Sequence, residues 1–435
     1  MNGSSATAQP RQTGQTVELR PPNRFFVQRN LAFEDEYLSA PSIKDVLMIM
    51  WSGVQTKRDS LTVEWSAKEA WKTVFRVAGM KPAALLREFE LPEDGRDWKA
   101  DLAIQDLRQS GPNKQLVIEF AYRPLDTRFI YYTGRTKGWI AYPRREASEH
   151  MLKTLNVALI VKRSRMINVD YFCHICVVDA PPDINYLADQ TYFMPLYSAA
   201  KAEGSLFSQT HRKSNTEART HNVAPGIVRQ LRDTLGLRYL KDGAGDLQAA
   251  FGPDDVLHYA YAVFYSPGYR SRYAEFLKID FPRLPLTGDL DLFRALARVG
   301  GELVALHLLQ SAKLDTPLST YFGPPIPEVE KSCHSRNTVW IDKAQTSGFS
   351  GVPEDVWSFH IGGYQVCEKW LKDRKGRTLS KDDITHYQMI VVALRETIRL
   401  MREIDEVIEN HGGWPGAFQA DPTRLSMKAA TGEEL

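Results

Sequence analysis

Between Ile384 and Ile408, apolar residues recur at intervals of three or four: Ile384, Tyr387, Val391, Leu394, Ile398, Met401, Ile404 and Ile408. Only a helix brings such a series onto one face, so any fold of this chain must accommodate a helix of about thirty residues. Ser380, with Asp383 three residues on, forms a capping pair that opens it, and Gly412-Gly413 closes it. A helix of that length either packs as a spacer against another domain or subunit or folds onto its own core, and the sequence leaves both open. A second seam, Leu292, Leu296, Val299, Leu303 and Leu306, predicts a helix over Asp289 to Gln310, with Gly300-Gly301 either a kink or a close-packing point.

The remaining patterns predict an α+β fold, β-rich in its middle and helical towards its C-terminus. Residues 1–22 read as a disordered polar tail. Residues 23–112 form a mixed entry segment: a strand at Phe25 to Val27, an apolar run from Ile43 to Trp51, a polar turn at Gly53 with Lys57, Arg58 and Asp59, and helices from Ser66 to Ala78, Ala83 to Glu90 and Asp97 to Gln109. Ser66 and Glu69 make the first of these a capping-box helix. Residues 113–250 carry short β-branched or aromatic runs at Leu116–Tyr122, Phe129–Tyr132, Trp139–Tyr142, Val157–Val161 and Tyr171–Val178, then a polar loop from Leu196 to Val223. Residues 251–414 are helical, with breaks at Pro267-Gly268 and an extended Phe281-Pro282-Arg283-Leu284-Pro285 connector. Residues 415–435 read as a second disordered tail.

Bulk composition narrows the class further. With 435 residues, 43% of them apolar, the chain can bury one large or two ordinary cores. No run of about 20 uncharged apolar residues is present and the first residues hold no apolar signal core, which predicts a cytoplasmic protein. Four cysteines fit a reducing compartment. Cys173 and Cys176 have zinc-ligand spacing, but they fall in a strand-like run that points two such thiols to opposite faces, so buried free cysteines are expected and no metal.

A formal charge of +2 argues for nothing by itself; its placement does. From Ala121 to Arg165 there are ten Lys and Arg against three acidic residues. Arg123, Arg128, Arg135, Lys137, Arg144, Arg145, Lys162, Arg163 and Arg165 sit in turns and at strand ends, interleaved with Tyr122, Phe129, Tyr131, Tyr132, Trp139 and Tyr142. Arginine forks on loops of a rigid sheet can enter a groove of double-stranded DNA and read guanine edges. The bland alternative is aromatic core with a solvated rim, which any single arginine favours; the cluster as a whole favours DNA. Arg270 and Arg272, together with Lys369, Lys372, Arg374, Lys375 and Arg377 in the stretch FHIGGYQVCEKWLKDRKGRTLS, Phe359 to Ser380, are candidates for holding phosphates or a partner chain.

Several of these stretches, in this order, resemble one family. VQRNLAFEDEY, the segment Ser52 to Val63, YRPLDTR at Tyr122 to Arg128, GWIAYPRRE at Gly138 to Glu146, YAVFYSPGYRSRYAEFLKIDFPRLPL at Tyr261 to Leu286 and GGYQVCEKWLKDRKGR look like the C-terminal specificity region of type ISP restriction-modification enzymes. Those single chains join nuclease, helicase, adenine methyltransferase and target recognition. The resemblance spans about Phe25 to Trp414 and implies that residues 113–250 are a target-recognition domain and 251–414 a specificity and spacer portion.

Catalytic signatures are absent. Pro181-Pro182 and Pro324-Pro325 lack the polar head and aromatic end of an adenine methyltransferase tetrad, and there is neither a Gly-rich cofactor turn after a strand nor a P-loop. Asp97-Trp98-Lys99 is at most a fragment of a nuclease centre, and His174, His258, His307 and His386 are scattered. The resemblance therefore implies a sequence-specific DNA-recognition chain without catalytic residues of its own. S-adenosylmethionine, ATP and Mg would belong to a methyltransferase and helicase-nuclease partner polypeptide. The competing reading is one part of a split adenine-specific methyltransferase.

Overall fold

The computed structural model describes residues 32–163, 172–199 and 219–419. The expected strand at Phe25 to Val27, most of the loop after Leu196, and Arg165 lie outside the described residues.

Apolar side chains gather into two clusters. The smaller one packs the capping-box helix Ala67–Ala78 and the helix Ala100–Ser110 against a three-stranded antiparallel sheet ordered Val63–Glu64, Asp126–Tyr131, Val117–Arg123. Ser66 accepts from the Glu69 amide at 3.2 Å, as the Ser-x-x-Glu spacing predicts. The strands expected near 116–122 and 129–132 thus join the helices that precede them, and this cluster runs across residues 112 and 113.

The larger cluster begins with a four-stranded antiparallel sheet ordered Trp51–Ser52, Tyr192–Pro195, Ala158–Val161, Ile175–Val178. Leu159 faces Met194 on one side and Val177 on the other, and every residue of its strand is buried, so that strand reads as one apolar run. Tyr197–Ala199 pairs with Arg219–His221, so part of the expected polar loop is hairpin. The helices Pro253–Tyr265, Leu290–His307 and Lys381–Asn410 complete this core. Tyr387, Val391, Leu394, Ile404 and Ile408 are fully buried, so the long helix lays its seam on its own core. Asp383 and Ser380 cap it reciprocally, at 3.1 and 2.9 Å. No helix among the described residues is long and apolar enough to cross a membrane.

Three expectations need correction, and one helix had no expectation. Trp139–Tyr142 is not a strand: Lys137 N reaches the Ala141 carbonyl at 2.8 Å, closing a compact loop. Arg145–Lys153 is a helix; it has no side-chain N-cap, and Arg144 before it is left-handed, so only the buried faces of Ala147, Ser148 and Met151 mark it. The expected helical portion contains a four-stranded sheet ordered Thr320–Phe322, Gly348–Ser350, Thr338–Trp340, Cys333–Ser335, whose three-residue strands are too short to show a period. Residues 415–419 belong to the fold: Phe418 stacks on Trp414 at 4.3 Å and Thr287 donates to the Ala417 carbonyl at 2.9 Å.

The Gly300-Gly301 pair is a close-packing point. A Cβ on Gly300 would sit 1.8 Å from the carbonyl oxygen of His258 in the helix Pro253–Tyr265, whereas one on Gly226 would meet nothing within 4 Å. Gly300→Ala is therefore expected to cost about 1–3 kcal/mol or more through overpacking. Gly226→Ala, in the helix Pro225–Leu235, is expected to be neutral or to stabilise by up to about 1 kcal/mol. Urea midpoints of the two variants check this.

Candidate nucleic-acid interface

Asp126 opens its strand with its carboxylate fully inside the protein. Arg128, two residues on and on the same face, reaches it with Nε at 3.1 Å and Nη2 at 2.6 Å. Arg374, from the segment after the helix Val366–Asp373, adds Nη2 at 3.0 Å. The two guanidiniums lie over the Trp65 ring, at 3.3 and 4.7 Å from its centre, and Arg374 also covers Trp370 at 3.5 Å. Burial by itself raises the Asp126 carboxyl, but Arg374 and Arg128 outweigh it and hold it well below the usual carboxylate range. His386 of the long helix bonds the neighbouring Leu125 carbonyl at 2.8 Å, so the hairpin turn is held from both sides. This is a buried ion cluster joining the smaller core to the C-terminal segment.

A second buried pair lies alongside. Arg123 Nη1 donates to Asp183 at 2.9 Å and its guanidinium stacks over Tyr122 at 3.8 Å. Burial pushes the Asp183 carboxyl up to about 7 in spite of Arg123. Arg270 is also internal, with Nε on the Phe264 carbonyl at 2.8 Å and its plane over Tyr265. Lys162 is buried and binds the Ala188 carbonyl at 3.0 Å and Asp189 at 3.3 Å. Arg272 forks onto Glu36 at 2.7 and 2.6 Å. These six side chains, including Arg128 and Arg374, are spent on the fold.

The other candidates reach the surface. Arg163 is exposed 3.6 Å from Asp280, Arg145 pairs with Glu149 at 3.1 Å, Lys372 with Glu368 at 2.9 Å and Lys369 with Asp373 at 2.6 Å. Arg135 donates to the Gln109 side chain. Lys137, Arg144, Lys375 and Arg377 make no ion pair among the described residues. Arg144 lies over Tyr142 at 5.5 Å and Arg377 over Trp65 at 4.2 Å.

Both loops that carry these four cations are pinned. Buried Asp106 takes the Trp139 amide and the Thr133 hydroxyl on one oxygen, each at 2.7 Å, and fixes the 133–141 loop, while the Tyr132 and Ser148 hydroxyls donate to the Pro143 carbonyl beside Arg144 at 2.8 and 2.9 Å. The Lys375–Arg377 loop is clipped to Val329, with Val329 N on the Arg377 carbonyl at 2.9 Å and Gly376 N on the Val329 carbonyl at 2.8 Å. Gly376 has φ of +75°, which favours glycine at that turn. A chain of contacts joins the two loops: Tyr142 pairs with Gln55 at 3.0 Å, Thr56 bonds Asp59, Tyr122 bonds Asp59 at 3.3 Å, Arg128 stacks on Tyr122 at 4.9 Å and on Trp65, and Arg377 closes on Trp65. Residues 53–65 thus form a spine between them. Lys57, exposed beside Asp97 at 3.8 Å, and Arg58, over Trp98 at 4.9 Å, sit on that spine; their sequence signal was a polar turn only.

Asp97, from the nuclease fragment, accepts from the Tyr142 hydroxyl at 2.8 Å, and the described residues hold no cluster of three metal-ligating side chains. Cys173 donates to the Gly362 carbonyl at 3.0 Å and Cys176 lies buried 3.6 Å from the Tyr186 hydroxyl, with burial pushing both thiols up.

The family model of the type ISP C-terminal specificity domain matches residues 45–403. The chain belongs to that family. The specificity domain has the same fold as part of three solved structures. A nuclease-deletion mutant of the type ISP restriction-modification enzyme LlaGI with a DNA substrate mimic aligns over 89% of this chain and 36% of its own, at 16% identity and TM-score 0.59. The ATP-dependent type ISP enzyme LlaBIII bound to DNA aligns over 90% of this chain and 25% of its own, at 16% identity and TM-score 0.60. A DrdV–DNA complex aligns over 82% and 36%, at 18% identity and TM-score 0.57. The specificity domain thus spans about a third or less of those chains. No curated protein sequence matches it.

Asp126→Asn leaves two buried guanidiniums with only the more distant carboxylates of Asp373, 4.0 Å from Arg128, and Asp383, 3.6 Å from Arg374, and is expected to cost about 3 kcal/mol. Because the folded carboxyl titrates below its unfolded value of about 4, its stabilisation is full above that pH and fades as pH falls towards the native value. Denaturation at pH 7 and at acid pH should find the variant weaker at neutrality and the difference shrinking in acid.

Proposed function

We propose that this chain is the DNA-recognition module of a type ISP-like restriction-modification system. It binds double-stranded DNA across the face formed by the 133–145 loop, the 53–65 spine and the 375–377 loop. The observation that carries this reading is the contrast among its basic residues. Buried arginines lock the scaffold, while Lys137, Arg144, Lys375 and Arg377 stand unpaired on two pinned loops joined by one spine. Unpaired cations on rigid loops lose little entropy on meeting phosphates and gain by counterion release. Membership of the specificity-domain family supports the same reading. Methyl transfer, cleavage and ATP use, with S-adenosylmethionine, ATP and Mg, fall in this reading to a partner polypeptide.

Selection from random duplex DNA at two salt concentrations tests it: one enriched motif that persists at the higher salt is expected, and no enrichment at either salt contradicts the reading. The paired substitution Lys375→Ala with Arg377→Ala, and Arg144→Ala separately, should weaken binding to all duplexes alike. Each lost phosphate contact should lower the slope of log K against log salt by about 0.9. Mobility-shift titrations at several salt concentrations read both effects, and unchanged slopes would remove these residues from the interface.

A further inference from the structure

The spine and the segment 183–190 line an open polar recess of about 430 Å³, with Gln55, Thr56, Lys57, Asp59, Asn185 and Gln190 among its walls. Its walls are fixed by backbone. Val54 N bonds the Pro182 carbonyl and Ile184 N the Val54 carbonyl, each at 2.9 Å, and a Cβ on Gly53 would lie 2.7 Å from the Asp183 backbone. The floor is Asp183, 1% exposed, holding Arg123 and the Asn185 amide at 2.9 and 2.8 Å. The rim carries Lys57 and Asp189 in the left-handed region, at φ of 65° and 75°.

Within these walls two side-chain amides are uncommitted. The Gln55 backbone is paired with Tyr142, and the Asn185 carbonyl accepts from the Tyr364 hydroxyl at 3.1 Å, yet neither side-chain amide makes a hydrogen bond among the described residues. Gln190 spends only its Nε2, on Tyr192 at 2.8 Å. The recess thus has fixed backbones presenting free amide groups, beside carboxylates that disfavour a phosphate. Lys57 on its rim supplies a cation suited to a phosphate.

We propose that this recess reads base edges in the major groove, with the Asn185 and Gln55 amides each able to pair with adenine through its N6 donor and N7 acceptor. The inference rests on the DNA-recognition reading and assigns to these residues the base contacts that the buried arginines Arg123 and Arg128 cannot make. Asparagine and glutamine match adenine in this bidentate way, and each such pair discriminates against the wrong base by about 5- to 150-fold.

The test is selection from random duplex DNA by the wild-type chain and by Asn185→Ala, Gln55→Ala and Asn185→Asp. The alanine variants should keep the wild-type salt slope but lose preference at one adenine position of the enriched motif. Asn185→Asp, which accepts from the cytosine N4 amine, should move that preference towards cytosine. Motifs identical to wild type in all three variants overturn the proposal. So does a loss common to all sequences with a reduced salt slope, which marks a phosphate contact. No enrichment by the wild-type chain overturns the DNA-recognition reading and this inference with it. Variants whose motif changes but whose melting midpoint matches wild type exclude misfolding as the cause.

Discussion

The buried carboxylate of Asp126 is the interaction on which the rest of the arrangement depends. It lies at the turn of a hairpin in the smaller core and takes guanidiniums from its own strand and from a residue 248 positions later. A charge taken out of water is tolerated only when its partners are well placed and the remaining hydrogen-bonding groups are met. Here two arginine forks meet one carboxylate, Trp65 and Trp370 cover their faces, and Arg374 Nε, which makes no hydrogen bond, lies 3.6 Å from Asp383. That requirement fixes the C-terminal segment against the hairpin in one register. Because Arg374 must point inward, Lys375 and Arg377 are carried outward on a loop that Val329 clips in place.

The same logic recurs at lower stakes. Asp183 with Arg123 holds the segment 183–190 against the spine, and Asp106 gathers the loop that bears Lys137. In each case a buried acid spends its hydrogen bonds on the base of a loop whose tip carries cations or amides. The interior acids thus set the positions of the exterior groups. This explains how a chain of almost balanced charge presents a face with unpaired positive groups.

The sequence made legible those features whose cause is local. The capping boxes at Ser66 and Ser380 and the seams of the two long helices fall where their spacing places them. The family, too, was readable from motifs in order. What stayed hidden depends on distant partners. Nothing around Arg128 or Arg374 says that each is buried, because the carboxylate and the indole rings that make burial tolerable converge only in the fold. The helix Arg145–Lys153 has no capping side chain and the strands of the 320–350 sheet have three residues each, so neither leaves a periodic trace. Gln55 and Asn185 carry no signal at all until the backbone brings them to one recess.

Hydrogen–deuterium exchange of the full chain, alone and with a duplex recovered by selection, tests most directly whether one rigid face meets DNA. Added protection is expected in the segments 53–59, 133–145, 183–190 and 375–377 together, with the Asp126 hairpin already slow to exchange without DNA. Protection confined to other surfaces, such as the helix Ala67–Ala78 with its exposed Phe75, would contradict it.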